Sequence, residues 1–240
     1  MVQRAAVQAV VLAGGLATRM HPRTLTMPKS MLEVAGRPFI EWQLERLVAA
    51  GFRDIVLCIA YLGGQIRAHV GDGARFGARV RWSSEGRQLL GTGGALRSAL
   101  PLLDSSFLVT YGDSYLPFDY AEPLRVLGAH DDCDGVMAIY RNAGQWDVSN
   151  VVSDGAWVLR YEKGTGDPAF DHIDYGATAL RRASVSTLSQ GRPFGLDTLQ
   201  RELAAGHRLR ACVAHERFYE IGSPNGLAEL DRYLRTQARS

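Results

Sequence analysis

Residues 7–20 read VQAVVLAGGLATRM. The run from Val7 to Leu12 is short, apolar and partly β-branched, which suits a strand buried on both faces of a sheet. It passes directly into Ala13, Gly14 and Gly15, then Thr18 and Arg19, and Pro28-Lys29-Ser30 closes the loop. Paired glycines let a backbone approach a ligand closely and turn N–H groups toward it. Backbone donors, a guanidinium fork and a mobile ammonium in one loop suit a triphosphate. Leu12, Ala13, Gly14, Gly15 and Thr18 would lie against the nucleotide, with Arg19 and Lys29 on its phosphates. A glycine turn after any parallel strand is the plainer reading of the glycines alone. The two cations at this spacing decide against it. The loop is neither the Walker form GxxxxGK[ST] nor the dinucleotide form GxGxxG.

Further short apolar runs, Asp54 to Ala60, Phe107 to Thr110 and Gly135 to Tyr140, repeat the strand signature. Between them, apolar residues fall at helical spacing. Ile40, Leu44, Leu47 and Val48 follow Pro38 and stop at Gly51. Leu96, Ala99, Leu100 and Leu103 mark a helix over Thr92 to Leu103. Ser223-Pro224 is a cap and first-turn proline before Leu227, Leu230 and Leu234. Strands alternating with helices predict an α/β fold: a Rossmann-like, doubly wound, mostly parallel sheet with ligands beyond the carboxyl ends of its strands. After about residue 145, Ser149 to Val152, Ala156 to Tyr161 and Asp174 to Leu180 predict a smaller, partly antiparallel lobe for a second substrate. The expectation is one domain in three parts. A nucleotide-binding half covers about 1–145, the lobe with a return strand about 146–222, and a C-terminal helix 223–240.

The chain has 240 residues, 46% of them hydrophobic, enough to bury a real core. Its 27 basic and 25 acidic residues leave a net charge of +2, which argues against a nucleic-acid partner held by bulk charge. No apolar run approaches the ~18 residues of a membrane span. The stretch Ala5 to Ala13 leads into glycines and Arg19 rather than a cleavage site, so it reads as a strand. Cys58, Cys133 and Cys212 are odd in number, far apart and lack a CxxC pair, which points to a reducing cytoplasm. Self-association is left open. Of the 27 basic residues only Lys29 and Lys163 are lysines. Arginine-rich codon usage accounts for the rest, and it makes each retained lysine a place where a compact ammonium is wanted.

Other motifs carry chemistry. Gly91-Thr92-Gly93-Gly94-Ala95 opens a helix, where glycines cost stability. They make sense if a flat group packs on that backbone or if N–H groups stay exposed. Gly112-Asp113 ends an apolar strand, where a carboxylate is well placed for a hard cation. Glu220 stands on a short strand ahead of Gly222 and the capped helix, and Tyr161-Glu162-Lys163 falls in the second lobe. Turn-capping acids are common, so neither acid is specific by itself.

In order along residues 8 to about 235, LAGGLATR, PKSM, GTGGA, GD, EK and EIGSP resemble the motifs of the sugar-1-phosphate nucleotidylyltransferases, also called nucleotide-sugar pyrophosphorylases. The resemblance implies Mg²⁺-dependent transfer of a nucleotidyl group from an NTP to a sugar 1-phosphate, giving an NDP-sugar and pyrophosphate. It implies Arg19 on the triphosphate and Lys29 near the α-phosphate as the catalytic cations. Gly91, Thr92 and Gly93 would lie against the base, and Asp113 and Glu220 would ligate magnesium. Glu162 would bond sugar hydroxyls and Lys163 the sugar phosphate, with Gly112, Asn150 and Asp174 in the same pocket. Ala17 and Ser30 stand where the pattern has glycine and proline, Glu220 where it has aspartate, and Gly164 where it has proline. The compact length resembles heptose-1-phosphate guanylyltransferases and muramate-1-phosphate uridylyltransferases. GTGGA without a glutamine directly before it leans toward GTP and a heptose or hexose 1-phosphate. Uridylyl or cytidylyl transfer to muramate 1-phosphate, phosphocholine or a phosphonate is the alternative.

In this reaction nucleophile and leaving group are both anionic, so alignment and charge neutralisation suffice. A phosphate monoester is largely ionised near neutral pH, and His21 beside the loop is not needed as an acid. A non-catalytic, nucleotide-sensing relative would be expected to lose a cation or a metal acid. A nicotinamide dehydrogenase would need the absent GxGxxG.

Overall fold

The computed structural model describes residues 7–86, 89–189 and 191–237. In chain order its elements are β1 Gln8–Leu12, β2 Glu33–Val34, β3 Arg37–Pro38, α1 Phe39–Ala49, β4 Asp54–Ile59, α2 Gly63–Val70, β5 Arg79–Ser84, α3 Gly91–Ser98, β6 Ser106–Tyr111 and β7 Ser114–Tyr115. There follow α4 Glu122–Ala129, β8 Gly135–Arg141, β9 Val151–Ser153, β10 Val158–Tyr161, β11 His172–Arg181, α5 Arg182–Ser186, α6 Leu196–Ala205, β12 Leu209–Ala214, β13 Tyr219–Glu220 and α7 Pro224–Gln237.

Side-chain alternation along the central strands dictates the layers. In β1, Ala9 and Val11 enter one apolar cluster while Val10 and Leu12 enter another. β4 does the same with Ile55 and Leu57 against Val56 and Cys58. A strand apolar on both faces needs helices on both. α1 covers the first face with Ile40, Leu44 and Leu47, and α3 and α6 cover the second with Ala95, Leu96, Leu199 and Leu203.

The main sheet runs β5-β4-β1-β6-β11-β8-β12. β5, β4, β1 and β6 are mutually parallel, and β12 is parallel to β8. β11 is antiparallel to both β6 and β8, so it alone of these strands is reversed. The sheet is mostly parallel, as expected. The β9–β10 hairpin hangs from the start of β11 through the Val151–His172 pair. No helix among the described residues is long and apolar enough to cross a membrane.

Two expectations are corrected. Asp174 to Leu180 was expected in the smaller lobe but forms the middle of β11, joining β6 to β8. Tyr175, Ala177, Ala179 and Leu180 are at most 1% exposed, a burial that only an interior strand provides. The helix expected over Thr92 to Leu103 stops at Ser98 and gives way to a 3-10 turn over Leu100–Leu102, because Pro101 has no N–H to continue it.

α7 begins as its sequence indicates: the Gly226 N–H donates to Ser223 Oγ at 3.1 Å, and Pro224 opens the first turn. Leu227, Leu230 and Leu234 then join Met20, Leu32 and Ile221 in a third cluster. That cluster ties the loop after β1 to β13.

The glycines of α3 answer to packing. A Cβ on Gly91 or Gly93 would overlap Phe194, and one on Gly94 would lie 2.6 Å from the Leu90 Cβ. The Gly93 N–H is spent on the Phe194 carbonyl at 3.0 Å. Phe194 thus occupies the face where a flat ligand was expected. Gly93→Ala should therefore cost about 1–3 kcal/mol by overpacking. Gly128→Ala in α4, where a Cβ would meet nothing within 4 Å, should gain about 0.5–1 kcal/mol from helix propensity. Urea denaturation measures both, and equal effects would undo the packing account.

Candidate active site

The register Leu12–Tyr111 sets the carboxyl ends of β1 and β6 side by side. The Gly112 N–H donates to the Leu12 carbonyl at 2.9 Å, and a Cβ on Gly112 would lie 2.8 Å from the Ala13 Cβ. Only glycine permits that approach. The glycine loop and the Asp113 turn consequently face one another across a cleft of about 480 Å³. Its walls include Leu12, Ala13, Gly14, Gly15, Thr18, Lys29, Ser30, Gly91, Thr92, Gly112 and Asp113. Gly93 is not among them. Thr92 lines the cleft while its Oγ1 accepts the Leu196 N–H at 2.8 Å, capping α6.

The loop is built to give donors away. Among the described residues, the N–H groups of Gly14, Gly15 and Leu16 have no partner. A Cβ on Gly14 would come 3.1 Å from the Ala60 Cβ, whereas one on Gly15 would meet nothing within 4 Å. Protein packing therefore crowds the first glycine but not the second. Ala17 stands at φ 52°, in the left-handed region that glycine enters freely and alanine enters at a cost of about 1–2 kcal/mol. The Thr24 hydroxyl donates to the Ala17 carbonyl at 2.9 Å and holds the turn.

Charge concentrates at one end of the cleft. Lys29 Nζ donates to Asp113 Oδ2 at 2.7 Å. β13 pairs with β7 so that Glu220 opposes Ser114, and the Ile221 N–H donates to the Asp113 carbonyl at 3.0 Å. This places Glu220 next to Asp113. Burial, then the charges of Asp113 and Asp147, push the Glu220 carboxyl up to about 7, with Lys29 and Arg19 pulling the other way. A Cβ on Gly222 would lie 3.3 Å from Arg19 Nη2 and 3.7 Å from Glu220 Oε2, so this glycine makes room for the guanidinium beside the acid. Arg19, Lys29, Asp113 and Glu220 are thus brought together from three separate stretches of chain. Among the described residues no group of three or more His, Cys, Asp or Glu side chains is arranged to hold a metal. Two hard carboxylates, one of them energetically reluctant to ionise, fit a divalent cation that keeps water and phosphate as its other ligands.

The segment after β10 approaches the same cleft at Tyr111. Lys163 Nζ lies 5.7 Å from the Tyr111 ring centroid. Asp174 accepts the Tyr161 hydroxyl at 3.2 Å, Gln200 Nε2 at 3.4 Å and the Gly176 N–H at 3.0 Å, while its own N–H donates to Asn150 Oδ1 at 2.8 Å. Burial raises its carboxyl, and the Lys163 charge opposes that rise. Asn150 is therefore partly committed to holding Asp174, and Glu162 is exposed without a side-chain partner among the described residues.

Sequence reasoning missed Glu85, Tyr111 and Asp147. Glu85 directly follows β5, a strand not marked by its polar, half-exposed pattern. It lines the cleft, and its Oε2 accepts the Leu90 N–H at 2.6 Å. Burial raises its carboxyl as well.

Comparison with known proteins gives a consistent result. A family model described as nucleotidyl transferase matches residues 8–155. The chain is 45% identical over 114 residues to the N-acetylmuramate alpha-1-phosphate uridylyltransferase of Neisseria meningitidis, covering 47% of this chain and about half, 49%, of that relative's own length. It is 30% identical over 217 residues to the D-glycero-alpha-D-manno-heptose 1-phosphate guanylyltransferase of Campylobacter jejuni, covering 90% of this chain and 95% of that one. The crystal structure of HddC from Yersinia pseudotuberculosis complexed with GMP-PN superposes with a TM-score of 0.78 at 25% identity, covering 95% of this chain and 99% of that one.

Glu220 should give the ligand-free protein a measurable pH dependence. Its carboxyl rises from the ordinary 4.5 to about 7 on folding, so the folded state holds that proton more tightly. Stability must then fall as pH rises through this window, and Glu220→Gln removes the penalty. Without divalent cation, the melting temperature of the variant should gain on the wild type between about pH 5 and about pH 8. A constant difference would show that Glu220 ionises normally.

Proposed function

We propose, from the premise that this chain belongs to the nucleotidyl transferase family, that it transfers a nucleotidyl group from a nucleoside triphosphate to a sugar 1-phosphate and releases pyrophosphate. The observation that carries the reading is the meeting of a loop of unpartnered N–H groups with Arg19, Lys29, Asp113 and Glu220 at one end of a cleft. In this reading the chain divides the work. Residues to about 145 hold the triphosphate, those over about 146–222 hold the sugar phosphate, and the C-terminal helix buttresses Glu220.

The backbone donors of Gly14, Gly15 and Leu16 cradle the phosphates, with Leu12, Ala13, Thr18, Gly91 and Thr92 along the nucleoside. Arg19 neutralises the β and γ phosphates. Lys29, bonded to Asp113 when no ligand is present, turns to the α-phosphate as the triphosphate enters. Asp113 and Glu220 hold a divalent cation, Mg²⁺, which when bound supplies charge neutralisation on the triphosphate and polarises the α-phosphoryl group. Lys163 fixes the attacking phosphate, and Glu162, Asn150 and Asp174 take sugar hydroxyls, with Gly112 leaving room between the two substrates. The attacking oxygen is already ionised, so no side chain has to remove a proton.

Glu85 supports GTP as the donor. Its Oε2 already accepts the Leu90 N–H, and its carboxyl oxygens offer acceptors to a base with N–H donors. Guanine offers two adjacent N–H donors, uracil one between two carbonyls, and cytosine an acceptor beside its amino group. UTP is the second reading, favoured by the 45% identity to a uridylyltransferase. The acceptor in the first reading is a heptose or hexose 1-phosphate.

Pyrophosphate release with each NTP against a panel of sugar 1-phosphates tests the reaction and the base together. GTP with a heptose or hexose 1-phosphate should react fastest, and silence across the whole panel would refute the reading. Lys29→Ala should cut kcat more than it raises KM for the NTP, because its charge matters most as the α-phosphoryl group transfers. A lost charge-assisted hydrogen bond of ~1.5–3 kcal/mol corresponds to a roughly 10- to 150-fold loss in kcat/KM. Normal turnover with only a raised KM would reduce Lys29 to a binding residue.

A further inference from the structure

Tyr111 is the last residue of β6 and belongs to both halves of the site. It lines the cleft beside Gly112 and Asp113. A Cβ on Gly176 would lie 3.6 Å from the ring, so β11 seats it closely from the other side. The Lys163 ammonium stands 5.7 Å from the ring centroid, within the ~6 Å reach of a cation–π contact. Among the described residues Lys163 has no ion pair and no hydrogen bond, and its side chain is otherwise exposed. Its charge acts on the buried Asp174 carboxyl from a distance, but a lysine held by no direct bond still samples many rotamers.

We infer that Tyr111 is a positioning residue whose aromatic face holds the Lys163 ammonium over the junction between the two substrate sites. The inference rests on the reading that Lys163 takes the sugar phosphate. The ring presents a fixed negative face that selects the rotamer of Lys163 before the substrate arrives, so less freedom is lost on binding. The hydroxyl is not the active part. Tyr111 Oη is buried and has no hydrogen-bond partner. Removing an unpaired buried polar atom costs little, so Tyr111→Phe keeps the device and Tyr111→Leu destroys it.

The scarcity of lysine makes the contact directly visible. Reductive ¹³C-methylation keeps the charge and labels only Lys29, Lys163 and the amino terminus. In the ligand-free chain, the Lys163 methyl signal, assigned by its loss in Lys163→Arg, should lie upfield of free dimethyl-lysine because it sits over a ring. It should stay there in Tyr111→Phe and return to the free position in Tyr111→Leu. A Lys163 signal at the free position in the wild type, or one unmoved by Tyr111→Leu, would overturn the inference.

Kinetics with the NTP and the sugar 1-phosphate turned over fastest in the panel supply the second arm. Tyr111→Leu should raise KM for the sugar 1-phosphate about two- to tenfold. Tyr111→Phe should stay near wild type. In a Lys163→Ala background the leucine change should add nothing, since the two residues act as one. If Lys163→Ala leaves that KM unchanged, the sugar-phosphate reading fails and the inference with it. If Lys163→Ala raises it and Tyr111→Leu is simply additive, only the role of Tyr111 fails.

Discussion

The close approach of two strand ends governs this molecule. Leu12 and Tyr111 stand opposite each other in a parallel pair, and Gly112 lies against Ala13 with no room for a Cβ between them. The glycine loop and the acid turn are almost 100 residues apart in sequence, yet this contact lays them edge to edge. Everything chemical follows from it. The cleft opens between the two turns, Lys29 can reach Asp113, and β7 emerges from the acid turn to bring in β13 and Glu220.

The resulting site is electrostatically unfinished. Glu220, Glu85 and Asp174 all carry carboxyls raised by burial, which is a cost the fold carries at neutral pH. Arg19 and Lys29 offset part of it at the Glu220 end and Lys163 part of it at Asp174. Among the described residues, Lys29 makes its direct ion pair with Asp113, the neighbour of Glu220. In the proposed reaction a dication and a polyanionic substrate would supply the missing charges of both signs, so their binding would relieve strain that folding imposed. Such tension is the usual mark of a functional site rather than a structural one.

Glycines show how far pattern alone can mislead. Gly91, Gly93, Gly94 and Gly112 are demanded by neighbouring protein atoms, Gly14 is only crowded, and Gly15 meets none. In the sequence they look alike. The GTGGA segment reads as a ligand platform, yet Phe194 already fills the face of Gly93. Phe194 is about 100 residues downstream, and no local signal ties it to that helix. Ala17 shows the converse case: a residue with an ordinary side chain holds a backbone conformation that its identity does not advertise.

Local physics determined much on its own. Short apolar strands, helical spacing, the Ser223-Pro224 cap and the glycine–cation loop specify an α/β chain with a cleft beyond the strand ends, because each depends on residues near one another in sequence. Tertiary structure alone decided the rest. It reversed β11 and put it in the centre of the sheet, since only the partners β6 and β8 reveal how deeply that strand is buried. It set Glu85 and Tyr111 in the cleft, because a side chain enters a site through the register of its strand with others. It brought Glu220 beside Asp113 and Arg19, and raised its carboxyl, because burial and charge proximity are properties of the folded neighbourhood and not of the residue.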